Sequence, residues 1–193
     1  MKNIEQAIRD IVAGDYFYET VYLMRYDLTS EDGCSKQSGV FLNDISIENR
    51  ERGRTIIFET EIVDVGIKEK LPTPKCTGAL ITSNYGSPAW NLSLNGPIII
   101  GNAQQLLLDI KESPVKPDKY VISGSSKINI KLLCDCTANI DREILNLEKN
   151  STLQIYIDRN IYINFIKTIH TRESLMDKLL RYNKYQYSQI GSK

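Results

Sequence analysis

The feature that most limits how this chain can fold is a run of strict alternation near its C-terminal end. Leu153, Ile155 and Ile157 fall on one side, and Thr152, Gln154 and Tyr156 on the other. Side chains of a strand point alternately to its two faces, so this pattern requires a strand with one buried and one wet surface. Asp158-Arg159-Asn160 follows with residues that favour turns, and the spacing predicts a hairpin of 152–157 with 161–168. Beyond it, Thr171 or Ser174 can cap a helix whose stripe is Leu175, Met176, Leu179 and Leu180. Tyr182, Tyr185 and Tyr187, interleaved with Arg181 and Lys184, carry more aromatic area than one helical stripe can bury. These five residues are the expected binding surface.

The same reading extends upstream. Ile4, Ala7, Ile8, Ile11 and Val12 predict an N-terminal amphipathic helix closed by Gly14. A tyrosine-rich strand over 16–28 follows, and then 40–48 and 55–65 read as a long hairpin with one wet face. Between 68 and 97 prolines and glycines break the chain, leaving regular structure near 79–83 and 90–94 in a loop region of a length that is often functional. Asn102 and Gln105 resemble a capping box ahead of Leu106, Leu107 and Ile110, which predicts a short central helix. A hairpin of 119–122 with 127–133 and a short helix over 139–147 complete the pattern. The fold class expected is α+β: a largely antiparallel sheet with an N-terminal helix, a short central helix and a C-terminal amphipathic helix, as one domain over 1–181 with 182–193 a tail.

Charge narrows the partners. Twenty-four Lys and Arg balance 24 Asp and Glu over 193 residues, so no net field draws in a polyanion, and nucleic acid is not the expected partner. Locally the balance tilts: residues 1–70 hold fourteen acids against nine Lys/Arg, and 167–193 hold six Lys/Arg against Glu173 and Asp177. Such polarity suits a protein partner or a second copy. Charges break the N-terminal segment where a signal peptide needs an apolar run, and no apolar run is of membrane length, so a cytoplasmic protein without a membrane partner is expected. Cys34, Cys76, Cys134 and Cys136 build no zinc knuckle, and neither metal nor cofactor is expected.

Tests for chemistry return little. Asp118, ahead of Lys127-Ile128-Asn129-Ile130-Lys131, resembles the strand–turn–strand site of restriction-type nucleases, with Asp118 and Lys131 in place and Asn129 where a second carboxylate belongs. On that resemblance Glu112 is the nearest upstream acid that could complete a metal site. Glu59-Thr60-Glu61 is explained by two outward glutamates of an alternating strand. The single histidine, His170, has no flagged nucleophile, and there is neither a Walker A loop nor a G-x-G-x-x-G. The expectation is a non-enzymatic interaction or assembly subunit, such as a viral or mobile-element structural component or an inhibitor-like binding module. The metal-dependent nuclease around Asp118 and Lys131 is the alternative.

Overall fold

A computed structural model describes residues 2–169 apart from 35, 52, 100–103 and 142. Helix α1 (Lys2–Ala13) forms as expected and ends at Gly14, whose φ of 84° is open to glycine at little cost. The strands are β1 (Phe17–Thr29), β2 (Lys36–Phe41), β3 (Asp44–Asn49), β4 (Ile56–Asp64), β5 (Ile67–Lys70), β6 (Lys75–Cys76) and β7 (Gly78–Ser83). After them come β8 (Gln105–Lys111), β9 (Lys119–Ser123), β10 (Lys127–Leu132), β11 (Cys136–Ile140), β12 (Glu143–Leu147) and β13 (Thr152–Lys167). One sheet runs β2-β1-β13-β10-β4-β5 with β6 also on β4, and the other β12-β11-β3-β7-β8-β9.

The chain divides into two compact units, 22–161 and a smaller one of 1–21 with 162–193. In the larger unit alternation sets the packing. Phe58, Ile128, Ile130, Leu153 and Ile155 of the first sheet and Ile45, Ile47, Ile81, Leu108 and Ala138 of the second are almost wholly buried in one cluster. This is a sandwich of two inner faces. Cys76 and Cys136 belong to that core, and burial raises both thiols, Cys76 to about 11. No helix among the described residues is long and apolar enough to cross a membrane.

The central helix does not form, and its place is taken by β8. Leu106, Leu108 and Ile110 face the sandwich core while Leu107 on the other face is also buried. A run buried on both faces has no alternation to distinguish it from a helix stripe. The expected helix over 139–147 is likewise a hairpin, β11 with β12, bending at Asp141 with φ 48°. The expected C-terminal helix, with Tyr182, Tyr185, Tyr187, Arg181 and Lys184, lies outside the described residues, as does His170.

Three hairpins also differ from expectation. The alternation of 56–64 is as read, whereas 44–49 has no wet face, Ser46 being buried along with Ile45 and Ile47; β3 pairs with β7 and β11 while β4 pairs with β5, β6 and β10, so these neighbours in sequence stand in opposite sheets. The same holds for β9, which pairs with β8, and β10. Alternation assigns a strand's faces and says nothing of its partner. No reversal forms at Asp158: β13 runs straight through although Asp158 still accepts from the Asn160 amide at 2.9 Å, the local bond of a turn-forming residue, while its other oxygen meets Arg25 of β1 at 3.7 Å. Lateral pairing outweighs the local turn preference.

Candidate functional site

The outer face of the six-stranded sheet carries the most unusual local structure. Register places Asp44, Ser46 and Glu48 of β3 on the same face as Thr82, Leu80 and Gly78 of β7, and next to these Leu107, Asp109 and Lys111 of β8. This face points away from the sandwich core, yet Ser46, Leu80, Thr82, Leu107 and Asp109 are all buried. The cover is the segment 84–99, which turns back after β7 and lies over the strands. Trp90 sits over the Lys111 ammonium, 4.0 Å from ring centroid to Nζ, and Lys119 of β9 donates to the Leu94 carbonyl at 2.7 Å. Lys119 also pairs with the buried Asp109 at 2.5 Å.

Side chains specify the covering segment. Ser83 Oγ donates to the Leu42 carbonyl and accepts from the Tyr85 amide; Ser87 Oγ donates to the Asn84 carbonyl and accepts from the Ile99 amide. The single turn of π-helix at Ser87–Asn91 has Pro88 as its second residue and holds Ala89 at φ −105°, ψ −113°, outside helical values. Asn91 clamps the far end, its amide donating to the carbonyls of Ser87 at 3.2 Å and Pro97 at 2.7 Å, while its buried Oδ1 meets no donor among the described residues. A side chain at Gly86 would collide with the Asn43 carbonyl and Thr82 Oγ1, and one at Gly96 with the Asn91 amide. These two glycines are required by close approach.

At the open edge of this cover sits Asn43-Asp44. The Asn43 carbonyl accepts from Thr82 Oγ1 at 2.9 Å and from the Ser83 amide at 3.2 Å, which fixes the bend into β3 and leaves the Asn43 side chain exposed. The half-buried Asp44 carboxyl titrates above the ordinary carboxylate range, because burial penalises its charge and Asp141 on the neighbouring strand repels it. At the other end of β3, about 13 Å away at strand rise, Glu48 holds Lys111 at 2.7 Å. A cleft of about 440 Å³ opens there, with Asn49, Thr77 and Arg54 among its lining residues. The site is thus a polar strip with a carboxylate at one end, an ion pair at the other and an exposed indole beside it.

The nuclease constellation does not assemble. Asp118 precedes β9 of one sheet, where the neighbouring Lys116 pairs with it and draws its carboxyl below the usual range. Lys131 stands exposed on β10 of the other sheet, across from Glu59 and Thr152, and Glu112 is exposed at φ 52° in the bend after β8. Among the described residues no group of three or more His, Cys, Asp or Glu is gathered to hold a metal, and Cys134 and Cys136 approach to 3.8 Å as free thiols.

No family model matches the chain. Known proteins do. The NAD kinase of Hydrogenovibrio crunogenus is 29% identical over 177 residues, 89% of this chain and 58% of that protein. A Clostridium botulinum NAD kinase is 27% identical over 139 residues, 69% of this chain and 46% of its own length. A solved NAD kinase from Archaeoglobus fulgidus in complex with ATP superposes with a TM-score of 0.70 at 17% identity, over 93% of this chain and 66% of that one. Yeast NADH kinase complexed with NADH gives 0.72 at 15%, over 100% of this chain and 56% of its own.

The fold is that of the NAD and NADH kinases. The chain spans about half the length of the curated relatives it matches. These relatives are enzymes, which overturns both the expected assembly subunit and the nuclease alternative. Phosphoryl transfer works by positioning and electrostatics with little covalent chemistry from the protein. A search for nucleophile, metal cluster or Walker loop therefore passes over it. The candidate residues not read from the sequence are Asn43, Asp44 and the 84–99 segment, and the signal available was Gly86 and Gly96 set among Ser83, Asn84, Ser87 and Asn91 in a loop region of a length that is often functional.

Proposed function

We propose that this chain binds a pyridine dinucleotide such as NAD, as the acceptor-binding part of an NAD-kinase-type phosphotransferase, with Asn43-Asp44 and the 84–99 segment as its cradle. The observation that carries the reading is the Asp44 carboxylate, half-buried against Asp141 and bordered by a segment held through glycine close approaches. A carboxylate half withdrawn from water, with no hydrogen-bond donor among the described residues, is costly, and a ribose diol supplies two hydroxyl donors. Asn43 adds an amide that can both donate and accept, and Trp90 a ring face on which a base or nicotinamide can stack.

Within the reaction this chain's contribution is positional. Asp44 accepts a hydrogen bond from a ribose hydroxyl and so orients that oxygen toward a phosphoryl donor such as ATP. Orientation of this kind is the larger part of phosphoryl-transfer catalysis. The test is calorimetric titration of the chain with NAD and NADH, and of the Asp44→Ala protein. Binding in the native chain, weakened at least about tenfold in the variant, is the expected result. Equal binding by both proteins, or none by either, removes Asp44 from the site. Because Asp44 must be ionised to accept, affinity should fall as pH is lowered through its raised pKa.

A further inference from the structure

Three of the four cysteines are gathered in one part of the sandwich, and none of them serves the cradle. Cys76 of β6 and Cys136 of β11 are buried in the core, and the half-buried Cys134 packs against it. Cys134 lies in the bend between β10 and β11. There the Leu133 amide donates to the Ile57 carbonyl of β4 at 3.0 Å, and the Cys134 thiol faces the same oxygen at 3.9 Å. Cys136 opens β11 opposite Asn49 of β3. The chain thus passes from one sheet to the other along this bend, and the Sγ atoms of Cys134 and Cys136 stand 3.8 Å apart. Between them, the Asp135 carboxylate accepts from the Lys149 amide at 2.8 Å.

A buried free cysteine is ordinarily a small apolar side chain, and that accounts for Cys76, whose thiol donates to the Gly78 carbonyl at 3.4 Å. It does not account for two thiols in contact, one of them half open to solvent. Among the described residues no third ligand joins them to complete a metal site, so the chemistry left to the pair is with each other. Residues two apart lie at most about 6.8 Å between Cα atoms even on a fully extended strand, a distance that a disulfide spans, and the bend at Cys134 shortens it. Bridging then requires the sulfurs to close from 3.8 Å to about 2.05 Å. The surroundings favour the bridged form. Burial first, then the Cys134 thiol beside it, Asp135 and Cys76 push the Cys136 thiol well above its ordinary value. The reduced pair therefore gains nothing from a stabilised thiolate, the feature that makes a disulfide strongly oxidising. A reductant that attacks at Cys134 Sγ has to expel the Cys136 thiolate into the core, and a thiol of raised pKa leaves slowly.

We propose that Cys134 and Cys136 are a modification site, a dithiol that exchanges with a low-molecular-weight disulfide such as oxidised glutathione and closes into a reversible bridge. The proposal is independent of the dinucleotide cradle. In the first step the Cys134 thiolate attacks one sulfur of the small disulfide. An S–S bond forms between protein and reagent, and the reagent's own S–S bond breaks to release one thiol. In the second step Cys136, having given up its proton, attacks Cys134 Sγ, and the second small thiol leaves. Two electrons pass from the dithiol to the reagent, and the two protein thiol protons end on the two thiols released. Contact at 3.8 Å gives the second step the high effective concentration of an intramolecular reaction.

The test uses the full native chain. Reduced protein is equilibrated under nitrogen in buffers of stepped ratio of oxidised to reduced glutathione, quenched in acid, alkylated and cut with trypsin. Cleavage after Lys131 and Arg142 leaves Cys134 and Cys136 as the two cysteines of one peptide, residues 132–142. The expected product is that peptide two hydrogen atoms lighter, carrying neither glutathione nor alkyl group. Its equilibrium constant for bridging should be at least about tenfold larger in the folded chain than in the urea-unfolded one. In Cys136→Ser the same peptide should carry a single glutathione on Cys134, and the measurement on the native chain does not depend on the folding of that variant. Cys34, exposed on its loop, is the internal standard, since its glutathionylation shows that the reagent is active. The proposal is overturned by a native chain that stops at glutathionylated Cys134, that pairs Cys134 with Cys76, that leaves both thiols free while Cys34 reacts, or that bridges no better folded than unfolded.

Discussion

The two sheets of the larger unit share one inner core and differ in what they do with their outer faces. On the seven-stranded sheet the outer face is a hydrated polar ladder. Tyr156 donates to Asp27 at 3.0 Å and lies under Lys127, Gln154 donates to Asn129 at 2.8 Å, and Lys68 meets Glu61 at 3.4 Å. On the six-stranded sheet the corresponding face is roofed by the 84–99 segment, and leucines, hydroxyls and one carboxylate are buried beneath it. A solvated ladder needs little from any single residue, because water can replace each partner. A roof over polar groups needs every contact, since an unpaired group beneath it costs its full desolvation. That difference is why the roofed face is the one proposed as the dinucleotide cradle.

The largest effect should come from the ion pair under the roof. Lys119→Met leaves Asp109, whose side chain is 5% exposed, without its cation, and also releases the Leu94 carbonyl. A loss of about 3–5 kcal/mol is expected in denaturant unfolding. If the loss is below about 1 kcal/mol, the roof is as loosely held as the ladder and the contrast fails.

A paired substitution tests the contrast directly. Leu80→Ala removes a fully buried side chain from the outer face of one sheet, at an expected cost of about 2–4 kcal/mol. Gln154→Ala on the outer face of the other should stay within about 0.5 kcal/mol of the native chain. Similar costs for the two would mean that both faces are surfaces of one kind.

These faces were not equally legible in sequence. The ladder was read correctly from Leu153, Ile155, Ile157 and their polar neighbours, because one buried and one wet face leave a period of two. The roofed sheet was not. In β8 the burial of Leu107 on the outer face and of Leu106 and Leu108 on the inner erased the alternation, and the run passed for a helix. Strand partners were missed for another reason: β3 and β4, or β9 and β10, are close in sequence and far apart in pairing, and alternation carries no information on that. The site itself left only two glycines in a broken stretch. What makes Gly86 indispensable is the Asn43 carbonyl and the Thr82 hydroxyl, from strands whose adjacency no local pattern discloses.

Gly86→Ala should sharpen the comparison further. The added methyl meets backbone at Asn43, which cannot move without breaking its bonds to Thr82 and Ser83. About 1–3 kcal/mol of stability should be lost, together with dinucleotide binding in the titration described above. Retained binding would show that the segment is a lid over leucines and no part of the cradle.

The smallest effect has the opposite sign, and for that reason discriminates best. The pKa of Asp44 is raised in the folded chain, so the native state holds this proton more tightly than the unfolded chain does. Linkage then makes the ionised carboxylate a burden: stability is highest below the ordinary carboxylate range and declines as pH rises through the raised pKa, with the full deficit present at neutral pH. Asp44→Asn removes the charge and its repulsion from Asp141. Its melting temperature should exceed that of the native chain by a few degrees at most near neutral pH, with the gain fading in acid. If Asp44 serves the cradle, the same variant should bind NAD more weakly and lose the pH dependence of binding, so that stability and affinity move in opposite directions. A residue of the ladder such as Asn129, half-buried and hydrogen-bonded to Gln154 and Glu61, should show neither change on replacement. Should Asp44→Asn destabilise the fold, the carboxylate has a structural partner and is not held in reserve for a ligand.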